Sequence, residues 1–266
     1  MQRSEMVRHY LKDLGLSGRT LDMAFLRDVV THHVATFAFS SVGCRLHEDL
    51  PLDFRSLYQR IVVRRRGGYC FEQNGFLYGV LEELGFSPEL YLARVIYDRD
   101  IHPGLTHRIT VIEYKGLRYV LDVGFGYLGP GVPVPMSGTE ANNGRNIFRI
   151  FESHPGEYHM QVLRDRKFFS LYRFELARYG HADCEVGHFY SHRHPDAVFV
   201  NHLVVSLILE NEIRSLRDLE YWVITKSGTR KQEICNREQL GRIVVGELGV
   251  RVTEKESHLL YEGLNL

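Results

Sequence analysis

Residues 66–97 read RGGYCFEQNGFLYGVLEELGFSPELYLARVIY, and within them the spacing of apolar residues changes from a helical period to an alternating one. Leu77, Val80, Leu81 and Leu84 recur at helical spacing, which predicts a helix from about Cys70 to Leu84. Gly85 fits the position just past its end, and Pro88 follows to prevent its resumption. From Glu89 the period becomes two, and LYLARVIY (90–97) reads as a strand. Towards the N-terminus the pattern stays helical. Met6, Val7, Tyr10, Leu11 and Leu14 make one stripe, closed by Gly15; Leu21, Phe25, Val29 and Val30 make a second. Asp53 suits an N-cap for a third helix that buries Phe54, Leu57, Tyr58 and Ile61. Towards the C-terminus strands dominate. HRITVIEY (107–114) and LRYVLDV (117–123) are joined by Lys115-Gly116, and 146–152, 158–163 and 168–174 also alternate. GFGYLGPGVPVP (124–135) is a loop signal. HLVVSLILE (202–210) and YWVIT (221–225) read as strands with KSGT as a turn, and NREQ (236–239) opens a last helix through Leu240, Ile243, Val244 and Leu248. Helices first, then strands, then a mixed part imply an α+β fold rather than a doubly wound parallel sheet.

The chain has 266 residues, with 33 Lys+Arg balanced by 33 Asp+Glu. Zero net charge leaves no electrostatic footprint for nucleic acid or an anionic membrane. No apolar run approaches ~18 residues, so no membrane span is expected. The N-terminal MQRSEMVRHYLKDLGL lacks the apolar core of a signal peptide. Four cysteines, Cys44, Cys70, Cys184 and Cys235, are widely spaced without a CxxC pair. That usage fits reduced thiols in the cytoplasm.

RGGYCFEQN carries the chemistry. Two glycines make a turn and a cysteine then opens a helix, where the positive end of the helix dipole favours an anion. A thiol so placed ionises more readily, and the thiolate is the nucleophile. Free N–H groups of the first turn could hold a developing oxyanion. If Lys115-Gly116 is a two-residue hairpin loop, Tyr114 faces Leu117 and paired residues sum to 231. His107 then lies opposite Gly124, and Asp122 opposite Ile109. The four share one face, and His107 and Asp122 become diagonal neighbours about 7–8 Å apart along the backbone. In this register Gly124 is expected to leave room for the imidazole. A thiol nucleophile needs a base, and the imidazole needs a carboxylate to fix its tautomer. A Cys70–His107–Asp122 triad is therefore expected.

RGGYCFEQN, then THRITV, then YVLDVGFG, with FYSHRHPDAVFVNHLVVSL (189–207) further on, resemble the arylamine N-acetyltransferase family. The resemblance implies a helical bundle (1–86) carrying the nucleophile, an antiparallel β-barrel (87–190) carrying His and Asp, and an α/β lid (191–266). The core would be like that of papain-like cysteine proteases. It also implies acetyl-CoA as co-substrate, no tightly bound cofactor, and ping-pong transfer to an aromatic amine, hydrazine or N-hydroxyarylamine. Cys70 would be the acetylated nucleophile, His107 the base and Asp122 its partner. Gly124, Phe125 and Gly126 would border the CoA and acceptor cleft, with Phe39, Val95 and Phe199 lining the acceptor pocket. The family's usual Pro-Phe-Glu-Asn is Ala38-Phe39-Ser40-Ser41 here, which removes the usual acidic support of Arg66. Another acid, with Glu72 the candidate, is expected to replace it.

Other clusters have blander readings. His181, Asp183, Cys184, His188, His192 and His194 are dense, and His188 and His192 stand at i, i+4. Gly187 and Pro195 argue against a regular helix, so a solvent-exposed loop is expected rather than a metal site. His32-His33 reads as surface, and Arg64 and Arg65 as a solvated face. The same triad would also suit an amide synthase working on larger acyl thioesters, or a cysteine hydrolase. A non-catalytic relative acting as a binding module is the rival from another class.

Overall fold

The computed structural model describes residues 1–264. Helices Arg3–Asp13 and Met23–Thr36 pack with Cys70–Glu83 around Tyr10, Phe25, Val29, Phe76 and Leu77. The second helix starts at an Asp22 N-cap whose side chain accepts from Phe25 N–H at 2.8 Å. Leu21 therefore lies outside its helix and is exposed. Asp53 caps the Phe54–Tyr58 helix as expected, accepting from Ser56 N–H. That helix runs on as a wider turn over Gln59–Val63.

The Cys70–Glu83 helix holds Gly75 and Gly79 in its interior. Each costs about 1 kcal/mol of helix propensity relative to alanine. Phe76, Leu77, Val80 and Leu81 are fully buried on the same helix, at about 1.5–3 kcal/mol each. Packing, not propensity, holds this helix. Gly85 follows it with φ +87°.

His33 is buried, not on the surface. Its Nε2–H donates to Gln73 Oε1 at 2.8 Å, and its Nδ1 accepts from the Tyr10 hydroxyl at 3.0 Å. Burial outweighs the Gln73 bond and pushes its pKa down to about 4, so the ring is a neutral pin through three helices. Arg65 is also less solvated than the sequence implied. It pairs with Asp13 at 2.7 Å and lies over the Phe37 ring.

Eight antiparallel strands follow and curl into a nearly closed barrel. Glu89–Val95, His107–Tyr114 and Leu117–Leu121 form one side. Ile147–His154, Glu157–Arg164 and Lys167–Glu175 form the other. Tyr114 pairs with Leu117 and Thr110 with Leu121, the register inferred from the two-residue loop. Inside lie Ile109, Val111, Val120, Phe148, Met160 and Tyr172.

A second antiparallel sheet starts with Phe39–Ser40 at its edge and adds Val204–Ile208, Glu212–Arg217, Glu220–Thr225 and Gly228–Glu233. Helix Arg237–Arg242, continued through Ile243–Glu247, packs on it through Leu240, Ile243, Val244 and Leu248. It is not the last helix: Glu254–Glu262 follows, capped by Thr253. Among the described residues, no helix is long and apolar enough to cross a membrane.

Candidate active site

The turn before Cys70 requires glycine. Gly67 has φ +67°, and a Cβ there would stand 2.4 Å from the Ala38 carbonyl oxygen. Its backbone lets Phe39 and Gly68 bridge, so the edge strand meets the base of the helix. The helix then opens at Cys70, with Tyr69 N–H held by the Glu72 carboxylate at 3.1 Å. Among the described residues the Cys70 and Phe71 amides donate to no backbone group.

The Cys70 thiol is buried and donates to the Thr106 carbonyl at 3.4 Å. His107 follows Thr106 at the start of its strand. Its Nε2–H donates to Asp122 Oδ2 at 2.8 Å, and Cys70 stands close enough to act on the ring electrostatically. Burial pushes the imidazole pKa down, but the Asp122 charge and hydrogen bond, with Cys70 adding, lift it to about 10. Asp122 lies just beyond its strand, buried. Burial pushes its pKa up, yet His107, Asn74 and the Gly124 amide prevail and hold it below the ordinary value. Its Oδ1 accepts from Gly124 N–H and Asn74 Nδ2, both at 2.9 Å. A buried carboxylate with this many donors is a fixed anion rather than an unexplained charge.

Gly124 does not make room for the imidazole, as the register alone implied. A Cβ there would stand 2.7 Å from Cys70 Cα and 2.8 Å from Asn74 Nδ2. The space belongs to the start of the Cys70 helix, which closes directly onto the strand end. Beside His107 stand Phe125 and Tyr172, with ring centroids at 5.1 and 4.8 Å.

Cys70 and His107 open onto a cleft of about 1070 Å³. Phe39, Val95, Gly124, Phe125, Gly126 and Phe199 all line it, and Phe39 and Phe199 meet at 5.6 Å. Asp122 sits behind His107. Tyr97, Arg164, Tyr190, Arg217 and Trp222 line the same cleft and had no role from sequence. Asn74 was also missed. It stands four residues after Cys70, on the same helix face, and that spacing was a usable signal. Its Nδ2 bonds both the Arg108 carbonyl (2.6 Å) and Asp122, and its Oδ1 accepts from Val123 N–H.

Two further expectations change. Arg66 is held not by Glu72 but by Glu48, by Glu256 at 3.0 Å and by the Arg251 carbonyl at 2.9 Å. Glu72 instead pairs with Arg60 at 2.6 Å, and Arg60 also reaches Glu48. The histidine-rich segment is a helix, His181–Arg193, rather than a loop, with Cys184, Gly187, His188, Ser191 and His192 buried. Gly187 permits this, because a Cβ there would stand 2.5 Å from the Leu105 carbonyl and 2.7 Å from the Phe71 ring. His188 Nδ1 meets the Tyr69 hydroxyl at 2.5 Å and its Nε2 the Leu50 carbonyl at 2.7 Å. Both ring nitrogens serve packing, and burial pushes the pKa down to about 4, with His192 adding.

A family model described as N-acetyltransferase matches residues 22–257. The arylamine N-acetyltransferase of Escherichia coli (strain K12) is 30% identical over 203 residues, 75% of this chain and 72% of that protein. The arylamine N-acetyltransferase of Mycolicibacterium smegmatis is 29% identical over 248 residues, 91% of this chain and 90% of that protein. The structure of the Mycobacterium marinum arylamine N-acetyltransferase in complex with CoA superposes with a TM-score of 0.89 at 23% identity, covering 97% of this chain and 99% of that one. With a family match along most of its length and the same fold from end to end, the chain belongs to the arylamine N-acetyltransferase family, a family of acyltransferases.

Proposed function

We propose that this enzyme moves the acetyl group of acetyl-CoA to an aromatic amine, hydrazine or N-hydroxyarylamine through an acetyl-cysteine on Cys70. The observation that carries the reading is one cleft holding a thiol against an imidazole backed by a buried carboxylate. His107, protonated at neutral pH, pairs with the Cys70 thiolate, which attacks the thioester carbonyl. The tetrahedral oxyanion faces the free amides of Cys70 and Phe71. When it collapses, the CoA sulfur leaves with the proton from His107. The amine then attacks the acetyl-cysteine, His107 takes the amine proton, and the Cys70 sulfur leaves as the thiolate. Asp122 keeps Nε2–H in place and steadies the imidazolium.

Flat acceptors suit a cleft walled by Phe39, Phe125, Phe199 and Trp222. Arg164 and Arg217 at its lining offer positive charge to the phosphates of CoA. The CoA bound to the similar Mycobacterium marinum protein agrees with this reading. On this account acetyl-CoA is a co-substrate that leaves as CoA, no cofactor stays bound between turnovers, and the work is done in the cytoplasm. The divisions after residues 86 and 190 are proposed with it, the bundle bringing the thiol, the barrel the imidazole and carboxylate, and the last part the cleft's outer wall.

Initial rates with acetyl-CoA and a panel of aryl amines and hydrazines test the proposal. Parallel double-reciprocal lines are expected, because CoA departs before the acceptor reacts. Intersecting lines, or release of acetate at the same rate with and without amine, would overturn it.

A further inference from the structure

Arg108 follows His107 on the same strand, so its side chain projects from the opposite face. It is 7% exposed. Among the described residues, no group hydrogen-bonds its guanidinium, and Nε is buried without a partner. The Tyr78 ring lies 5.3 Å away, and the Glu82 carboxylate, itself paired with Arg3, adds charge attraction. A cation–π contact contributes about 0.5–2 kcal/mol, whereas burying a charge costs several. The guanidinium is under-compensated by the protein alone.

It faces a second cavity of about 620 Å³, separate from the catalytic cleft. The Cys70–Glu83 helix backs it, with Phe54 packed over Gly79. Gly75 and Gly79 stand one turn apart in the Cys70–Glu83 helix, and a Cβ at Gly75 would come within 3.0 Å of Arg108 Nη1. Tyr78 and Tyr179 supply aromatic surface. The carboxylates on the wall are already engaged: Glu82 with Arg3 at 2.8 Å, and Glu89 with Arg118 at 2.9 Å. Arg178 adds a second positive charge to the lining.

We infer that this cavity is a second ligand site, in which Arg108 binds the carboxylate of a small aromatic acid while Tyr78 and Tyr179 take its flat body. A carboxylate accepts two parallel N–H bonds from a guanidinium, which is what Arg108 lacks. The volume suits a small molecule. The site touches the catalytic groups through one chain of bonds: the Arg108 carbonyl accepts from Asn74, which also donates to Asp122. This inference stands independently of the chemistry proposed for Cys70.

The test is a titration of the full chain with 4-fluorobenzoate, read by fluorine NMR and by backbone amide shifts. Saturable binding is expected, with shifts at Gly75, Gly79 and Gly180 and little change at Phe125 or Trp222. Arg108→Met should weaken it about tenfold or more. The uncharged 4-fluorobenzamide should bind the unaltered chain about tenfold more weakly; this comparison decides the matter if the variant does not fold. No saturable binding, equal binding of acid and amide, equal binding by Arg108→Met, or shifts confined to the catalytic cleft would each overturn the inference.

Discussion

Asp122 is the residue on which the imidazole depends. It is buried and accepts from His107, Asn74 and Gly124. Asp122→Asn keeps the shape but presents an amide that favours the wrong tautomer, so kcat should fall by up to about 10⁴-fold, with little change in far-UV circular dichroism. The same pair makes stability depend on pH. His107 is raised from 6.5 to about 10, so its contribution is full below the lower value and is lost as pH climbs through about 10. Asp122 is depressed, so its contribution holds above the ordinary carboxylate range and is lost in acid. The Tm advantage of the unaltered chain over Asp122→Asn, followed by calorimetry, should therefore be widest near neutrality and shrink towards pH 10. An advantage that stays constant across that range would contradict the ion pair. The His107–Asp122 contact was legible because alternation and a two-residue turn leave one register. The acids around Arg66 were not, since Glu48 and Glu256 stand 18 and 190 positions away. No local pattern links a charge to a partner at that distance.

At the scale of elements, the site is a junction between one helix start and one strand end. Gly124 is the hinge of that contact, with 2.7 Å separating a hypothetical Cβ from Cys70 Cα. Both neighbours are backbone or hydrogen-bonded amide, so neither can yield cheaply. Gly124→Ala should cost about 1–3 kcal/mol in chemical denaturation and reduce turnover more than tenfold (on the order of 1.4 kcal/mol). Unchanged activity would mean that the helix and strand are less tightly abutted than described. Most barrel strands could be read from sequence because β-branched and aromatic residues fill them, even where, as over 107–112, both faces are buried. Glu212–Arg217 and Gly228–Glu233 escaped, the latter because it is an outer strand with nearly every side chain exposed. The His181–Arg193 helix escaped for the opposite reason. Its buried face is built of His188, Ser191 and His192, which no hydrophobic stripe reveals.

Across the whole molecule, a charge network ties the Cys70–Glu83 helix to the C-terminal part. Glu48 joins Arg60 and Arg66, Arg60 joins Glu72 beneath Cys70, and Arg66 joins Glu256. Glu48→Gln should destabilise the fold by about 1–3 kcal/mol, measured by denaturant unfolding, because it strips two largely buried arginines of a charged acceptor. A loss near zero would show that Glu72 and Glu256 suffice. The network, the barrel and the second sheet together keep the thiol, imidazole and carboxylate at one wall of the cleft. Mixing the full-length chain with acetyl-CoA and no amine, then measuring intact mass and mapping the peptide, tests that arrangement most directly. One acetyl group on Cys70 is predicted, discharged when an aryl amine is added and missing from Cys70→Ala. An unmodified Cys70 while amine acetylation still proceeds would contradict the account.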